Sequence, residues 1–265
     1  MPTLLTDDIS LHYEIDGSGP PLLLIAGMVS DSASWQPIMP LLTDHFTVIR
    51  PDNRTTGRTT PWDAPTSMAH YANDCAALLD HLSYPRAHVL GHSMGGLIAL
   101  HLATTHPSRI QTITLAASAP VRMARNTALF SALVDIRQSA AAPDLWLRAF
   151  FPWLFAPAVF DDPTAIDAAA EAALAYPYAQ SAKAMRHQLN ALKNYDPAAI
   201  NISQPVQALL AENDLLIPMA MAQPALAGLS GLTTHIIPNA GHSIHWDAPH
   251  QVANHVLAFA KEHPI

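Results

Sequence analysis

Cysteine is almost absent from this chain of 265 residues, since Cys75 is the only one. A single cysteine excludes an intramolecular disulfide and a zinc site built on cysteines. Proteins of oxidising compartments usually carry more cysteines, so the sequence favours a cytoplasmic location. The N-terminus also lacks a basic start followed by an apolar core, and we therefore expect no signal peptide.

Charge is scarce as well. Only 13% of the residues are charged, and 13 Lys and Arg against 21 Asp and Glu give a net charge of −8. The acidic balance and the lack of a basic run argue against a nucleic-acid partner. The longest apolar stretch, residues 145–160, is interrupted by Arg148 and two prolines. A membrane span needs about 20 nearly unbroken apolar residues, so we expect no membrane association.

Half of the residues are hydrophobic, which excludes intrinsic disorder, and the length fits one large domain or one domain with an insertion. Residues 9–15 alternate in polarity, which predicts a half-exposed antiparallel strand. Short apolar runs predict buried parallel strands at 22–25, 46–49, 87–90, 110–115, 206–210 and 233–237. Helical periodicity appears between them at 69–82, 95–106 and 249–261. This alternation predicts a mostly parallel sheet flanked by helices.

Residues 120–195 break the alternation, because they contain helical patterns, many alanines and many aromatic residues, but no convincing strand. We interpret them as a helical lid inserted into a core made of residues 1–119 and 196–265. Loops at the carboxyl edge of an open α/β sheet surround the ligand crevice, which favours a lid. The alternative is an additional helical layer without a role in gating.

A Gly-x-Ser-x-Gly motif, Gly91 to Gly95, lies between a predicted strand and a predicted helix. A sharp strand-to-helix turn exposes the hydroxyl of Ser93 at the sheet edge, and it requires small residues two positions before and after it. In this context the chain resembles the α/β-hydrolase fold family over nearly its whole length, apart from residues 120–195. The resemblance implies an α/β-hydrolase fold with a helical lid after the sixth strand, and the chain order nucleophile, acid, histidine.

The resemblance implies an acid after the strand at 206–210. Asp214 matches the acid in the family's Gly-x-x-Asp-x-x-x-Pro segment, with Ala211 in the place of the glycine. Its role would be to accept the Nδ1 proton of the histidine and fix the tautomer. Glu212 is the alternative acid. A carboxylate in such a loop can also be simply solvated.

The resemblance implies a histidine that follows a glycine before the last helix, and His242 is the match. It would take the proton of Ser93 and later give it to the leaving group. His245 is the alternative. The chain has 15 histidines, so a histidine by itself carries little information.

An oxyanion hole requires two backbone N–H groups, and the resemblance implies those of Met28 and Met94. The family commonly has His-Gly before the first donor, whereas this chain has Ala26-Gly27. A backbone donor survives that change. We interpret residues 50–59 as a structural loop beside the oxyanion loop, with arginines that are solvated rather than a site for an acidic substrate.

The sequence therefore predicts a serine hydrolase that cleaves a small apolar or aromatic ester or lactone through an acyl-enzyme. Gly27, Trp35 and Trp153 are candidate substrate-binding residues, although the aromatic residues of 120–195 can equally form a core.

Ser93 argues against the relatives with an aspartate nucleophile. C–C bond hydrolases of ring-fission products, cofactor-free haloperoxidases and slow ligand-binding relatives stay open. We expect no cofactor and no metal. The sequence does not distinguish a monomer from a homodimer.

Overall fold

The computed structural model describes residues 2–197 and 200–265. Within them, eight strands form one sheet in the order β1-β2-β4-β3-β5-β6-β7-β8. The strands are β1 (Thr3–Leu5), β2 (Ser10–Gly17), β3 (Pro21–Ile25), β4 (Thr47–Pro51), β5 (Ala87–His92), β6 (Ile110–Ala116), β7 (Val206–Ala211) and β8 (Leu232–Ile237). β2 is antiparallel to both β1 and β4, and the remaining pairs are parallel.

The α-helices of the described residues flank this sheet. They are α1 (Met39–Leu42), α2 (Met68–His81), α3 (Met94–Thr105), α4 (Ala124–Gln138), α5 (Leu145–Leu154), α6 (Pro163–Ala175), α7 (Ala182–Lys193), α8 (Met219–Leu226), α9 (Ile244–Asp247) and α10 (Pro249–Glu262). α2 and α3 pack against one face of the sheet, and α1 and α10 pack against the other. None of these helices has both the length and the apolar character that a membrane crossing requires.

The central strands are apolar on both faces because helices cover both. In β3, Leu23 and Ile25 belong to the apolar core on the α2 and α3 side, while Leu22 and Leu24 belong to the core on the α10 side. Successive side chains of a strand point to opposite faces, so a continuous apolar run fills two cores. The predicted α/β-hydrolase fold class is confirmed, and the predicted strands lie within two residues of the observed ones.

Among the described residues, four α-helices, α4 to α7, lie between β6 and β7, in the region that the sequence interprets as a lid. We call residues 120–195 the helical segment. Its buried side chains, Phe130, Trp146 and Met185 among them, belong to the same apolar cluster as the side chains of β3 and β5. The segment therefore shares the core of the sheet, and its movement as a lid stays a prediction.

The loop after β4 is structural, as predicted, but its arginines are not solvated. Arg54 is 4% exposed and binds Asp74 through two hydrogen bonds, of 2.5 and 2.8 Å, and also contacts Asp8. Burial of a guanidinium is costly unless an opposite charge compensates it, and these carboxylates supply that charge. The interpretation as solvated charge was wrong because the sequence does not reveal that these carboxylates converge on the loop.

Candidate active site

Ser93 occupies a strained turn between β5 and α3. Its backbone has φ +51° and ψ −118°, outside the regions that side-chain-bearing residues normally adopt. Gly91 and Gly95 allow the turn, because a Cβ on Gly91 would lie 2.4 Å from the carbonyl oxygen of Gly95. A Cβ on Gly95 would lie 1.9 Å from the carbonyl oxygen of Ile25. The motif therefore brings α3 into backbone contact with β3.

Replacement of Gly95 by alanine should destabilise the protein by at least about 3 kcal/mol, because both atoms in the clash are fixed by the backbone. Gly228→Ala is the matched control, since a Cβ there has nothing within 4 Å. We expect it to change the free energy of unfolding by less than about 1 kcal/mol. Urea unfolding of both variants measures the difference. Equal stability of the two would refute the close contact at Gly95.

The structure brings the three residues proposed from the sequence into one chain of hydrogen bonds. His242 Nε2 lies 2.8 Å from Ser93 Oγ. On the other side of the ring, His242 Nδ1 lies 3.0 and 2.9 Å from the two carboxylate oxygens of Asp214. Asp214 Oδ1 also accepts hydrogen bonds of 2.8 Å from the backbone N–H groups of Leu216 and Ile217. These bonds fix the carboxylate, and the carboxylate orients the imidazole.

The two alternative residues lie elsewhere. Glu212 is exposed and accepts a hydrogen bond of 2.9 Å from the backbone N–H of Asn239. His245 is 2% exposed, and its ring packs against Trp35 at a centroid distance of 4.6 Å. Burial lowers the pKa of His245 to about 3, so the ring is neutral. The geometry therefore favours Asp214 and His242 over both.

The proposed oxyanion loop follows β3 and is held from two sides. Asn53 Nδ2 donates a hydrogen bond of 3.0 Å to the carbonyl of Ala26. On the other side, Gln188 of α7 accepts a hydrogen bond of 2.9 Å from the N–H of Val29, the residue after Met28. Gln188 is completely buried. Side chains from residues far along the chain thus fix a loop that lacks the histidine common in the family.

Two cavities meet at Ser93. The larger, of about 640 Å³, is lined by Met28, Met94 and residues of α4. The smaller, of about 440 Å³, is lined by His242, Met28 and aromatic residues of the helical segment, which are Phe130, Trp146, Phe150, Phe151, Phe155, Tyr176 and Tyr178. Both cavities contain Ser93, so a substrate that reaches its hydroxyl has a mostly apolar surface on either side.

The predicted substrate-binding residues occupy different places. Gly27 lies beside the nucleophile, since a Cβ there would be 3.2 Å from the Cβ of Ser93. Trp35 is completely buried and packs against His92 and His245. Trp153 is half-buried under the guanidinium of Arg125. Neither tryptophan is among the described residues that line the two cavities, and both are instead part of the packing around them.

Sequence reasoning missed how the histidine loop is anchored. Asp247 Oδ2 accepts hydrogen bonds from the N–H of Gly241, at 2.8 Å, and from the N–H of Ala156, at 2.9 Å. The N–H of Ser243 donates to the carbonyl of Leu154 at 2.7 Å. Ser243 is therefore bound directly to the last residue of α5, and Gly241 is joined through the carboxylate of Asp247 to Ala156, two residues beyond that helix. Asp247 lies five residues after the histidine, and that proximity is the signal that could have identified it.

The buried histidine before the nucleophile supports the same loop. His92 Nε2 lies 2.8 Å from the carbonyl oxygen of His242. Burial and the neighbouring imidazoles hold the pKa of His92 well below its usual range, so the ring is neutral and donates this bond from Nε2.

Comparison with known proteins identifies the family of the chain. The family model for the alpha/beta hydrolase fold matches residues 20–249. The chain belongs to the alpha/beta hydrolase family. It is 32% identical over 239 residues to a protein of Variovorax paradoxus named "Putative carbamate hydrolase RutD", with 88% of this chain and 89% of the relative covered.

Solved structures of alpha/beta hydrolases superpose closely on the chain. A hydrolase from Pseudomonas aeruginosa PA01 has a TM-score of 0.85 and 26% identity, and the match covers 97% of each chain. The enol-lactonase from Burkholderia xenovorans LB400 has a TM-score of 0.84 and 21% identity, with 98% of this chain and all of that chain covered. At this identity the lactonase shows the fold alone.

Proposed function

We propose that this alpha/beta hydrolase cleaves a small carboxylic ester or lactone through an acyl-enzyme on Ser93. The observation that carries the proposal is the 2.8 Å distance between Ser93 Oγ and His242 Nε2. A serine hydroxyl is a weak nucleophile unless a base lies within hydrogen-bond distance, and this distance meets the requirement.

In the proposed reaction, Ser93 Oγ attacks the carbonyl carbon while His242 Nε2 takes the hydroxyl proton. Asp214 stabilises the imidazolium that forms. The backbone N–H groups of Met28 and Met94 would stabilise the oxyanion, and Met94 is suited because it begins α3, where N–H groups lack partners within the helix. The imidazolium then protonates the leaving alkoxide, and a water molecule activated by His242 hydrolyses the acyl-enzyme.

The walls of the two cavities support a small apolar or aromatic substrate, since Met28, Phe130 and Leu216 line both of them. A carbamate is the second candidate. The same residues can attack a carbamate carbonyl, and the relative from Variovorax paradoxus carries that activity in its name.

Labelling with a fluorophosphonate probe, followed by mass spectrometry, tests the nucleophile before the substrate is known. We expect the label on Ser93. A panel of p-nitrophenyl butyrate, γ-butyrolactone and ethyl carbamate then separates the substrate classes, with ammonia release as the signature of carbamate cleavage. Modification of another residue, with Ser93 unmodified, would overturn the proposal.

A further inference from the structure

Arg137, in the last turn of α4, is a partly buried cation without a carboxylate partner. Its Nη1 is buried and forms no hydrogen bond with the described residues, and no carboxylate there lies within 4.0 Å. Burial lowers the pKa of Arg137. Arg148 of the same segment, by contrast, binds the carboxylates of Asp144 and Asp167 although it is more exposed. Solvent therefore compensates the charge of Arg137 poorly.

An aromatic ring holds the guanidinium in place. The Cζ atom of Arg137 lies 4.4 Å from the ring centroid of Trp146, which is 7% exposed. This contact stabilises the planar cation and restricts its orientation. Since Nη1 is buried, the available edge of the guanidinium is the one that carries Nε and Nη2, and this edge matches a carboxylate through two parallel hydrogen bonds.

Arg137 lines the same cavity of about 440 Å³ as Ser93 and His242. Phe130, on the same helix, lines both cavities that contain Ser93. Arg137 follows Phe130 by seven residues, which is about 10 Å along the helix. The guanidinium therefore belongs to a residue about two helical turns along α4 from Phe130, in the wall of the cavity that also contains Ser93 and His242.

The carboxylate on the wall of this cavity does not neutralise Arg137. Asp31 accepts hydrogen bonds of 2.9 Å from the hydroxyl of Tyr176 and from the N–H of Ala33. The wall of this cavity also contains the apolar side chains of Leu147 and Phe150, besides the Trp146 ring that contacts Arg137. A substrate anion that enters this part of the cavity would therefore bind the guanidinium of Arg137.

We propose that Arg137 binds a carboxylate group of the substrate, remote from the carbonyl carbon that Ser93 attacks. This inference rests on the proposed function, and it narrows the substrate class to anionic esters or lactones that carry a carboxylate. Arg137 is thus a residue of specificity rather than of bond cleavage.

Two matched pairs of esters test the proposal. One pair carries the charge on the acyl side, p-nitrophenyl hydrogen glutarate against p-nitrophenyl butyrate. The other carries it on the leaving group, 4-acetoxybenzoate against its methyl ester. For at least one pair, Arg137→Gln should lower the ratio of kcat/KM for the anionic over the neutral member by about 10- to 100-fold. Arg137→Lys should restore part of the ratio, because it keeps the charge without the planar fork.

Arg148→Gln is the control, since it removes a charge from the exposed surface of the same segment. It should leave both ratios unchanged. If Arg137 only stabilises helix α4, Arg137→Gln will lower the free energy of unfolding and leave both kcat/KM ratios unchanged. That result would overturn the proposal. Arg122 lies in the wall of the other cavity. If Arg122→Gln lowers the kcat/KM ratios and Arg137→Gln does not, the proposal is also overturned.

A measurement on the unsubstituted protein makes the test independent of folding of the variants. Hexanoate should inhibit hydrolysis of the neutral ester at least ten times more strongly than hexanamide, and equal inhibition would contradict the inference. A different result would overturn the proposed function itself: hydrolysis of the neutral ester by the Ser93→Ala variant at an unchanged rate.

Discussion

Ser93→Ala should lower kcat for ester hydrolysis by about 10⁴- to 10⁶-fold, because the acyl-enzyme can no longer form. The substitution removes one oxygen atom from a turn whose backbone is fixed by Gly91 and Gly95, so the fold should be retained. The residual rate would come from substrate binding and the backbone donors of Met28 and Met94. Hydrolysis of p-nitrophenyl butyrate, measured with the unfolding curve of the same variant, checks both statements.

The control for this substitution is Ser108→Ala, at an exposed serine outside the site. Its rate should equal that of the unsubstituted protein within a factor of two. An active Ser93→Ala protein with an unchanged unfolding curve would remove the nucleophile from the mechanism.

Asp214→Asn should lower kcat by about 10⁴-fold. An asparagine fits the same space, but its amide cannot stabilise the imidazolium, and its NH₂ group favours the histidine tautomer with a proton on Nε2. That tautomer cannot accept the proton of Ser93 Oγ. The rate of ester hydrolysis near neutral pH, with substrate saturating, measures the effect on kcat.

Glu212→Gln is the matched control, because it makes the same chemical change two residues away. Glu212 contacts the backbone of Asn239 and not the imidazole, so we expect a rate change of less than about three-fold. A large loss on Glu212→Gln, with little loss on Asp214→Asn, would reverse the assignment of the acid.

Local sequence predicts the parts of the molecule that depend on neighbouring residues. Apolar runs such as 22–25 are strands because both faces of the sheet are covered, and Gly91 and Gly95 predict the turn at Ser93. β1 was missed because it is a three-residue edge strand whose residues are not buried. Its short, exposed sequence has neither an apolar run nor a strong alternation.

Contacts between distant residues could not be predicted in this way. Gln188 and Val29 are 159 residues apart, and nothing near Gln188 in the sequence indicates that its amide reaches the oxyanion loop. Trp35 was a candidate substrate contact because its large apolar side chain could form part of the wall of an acyl or alkyl site. Its complete burial against His245 depends on how the C-terminal loop folds back on it.

The anchoring of the histidine loop has a consequence for engineering of the cavity. The backbone of Leu154 and Ala156, at the end of α5, shares hydrogen bonds with Ser243 and Asp247. Remodelling this stretch to admit a bulkier substrate would therefore also displace the imidazole. Changes of selectivity without loss of turnover should be sought along α4, which carries cavity residues but shares none of these bonds.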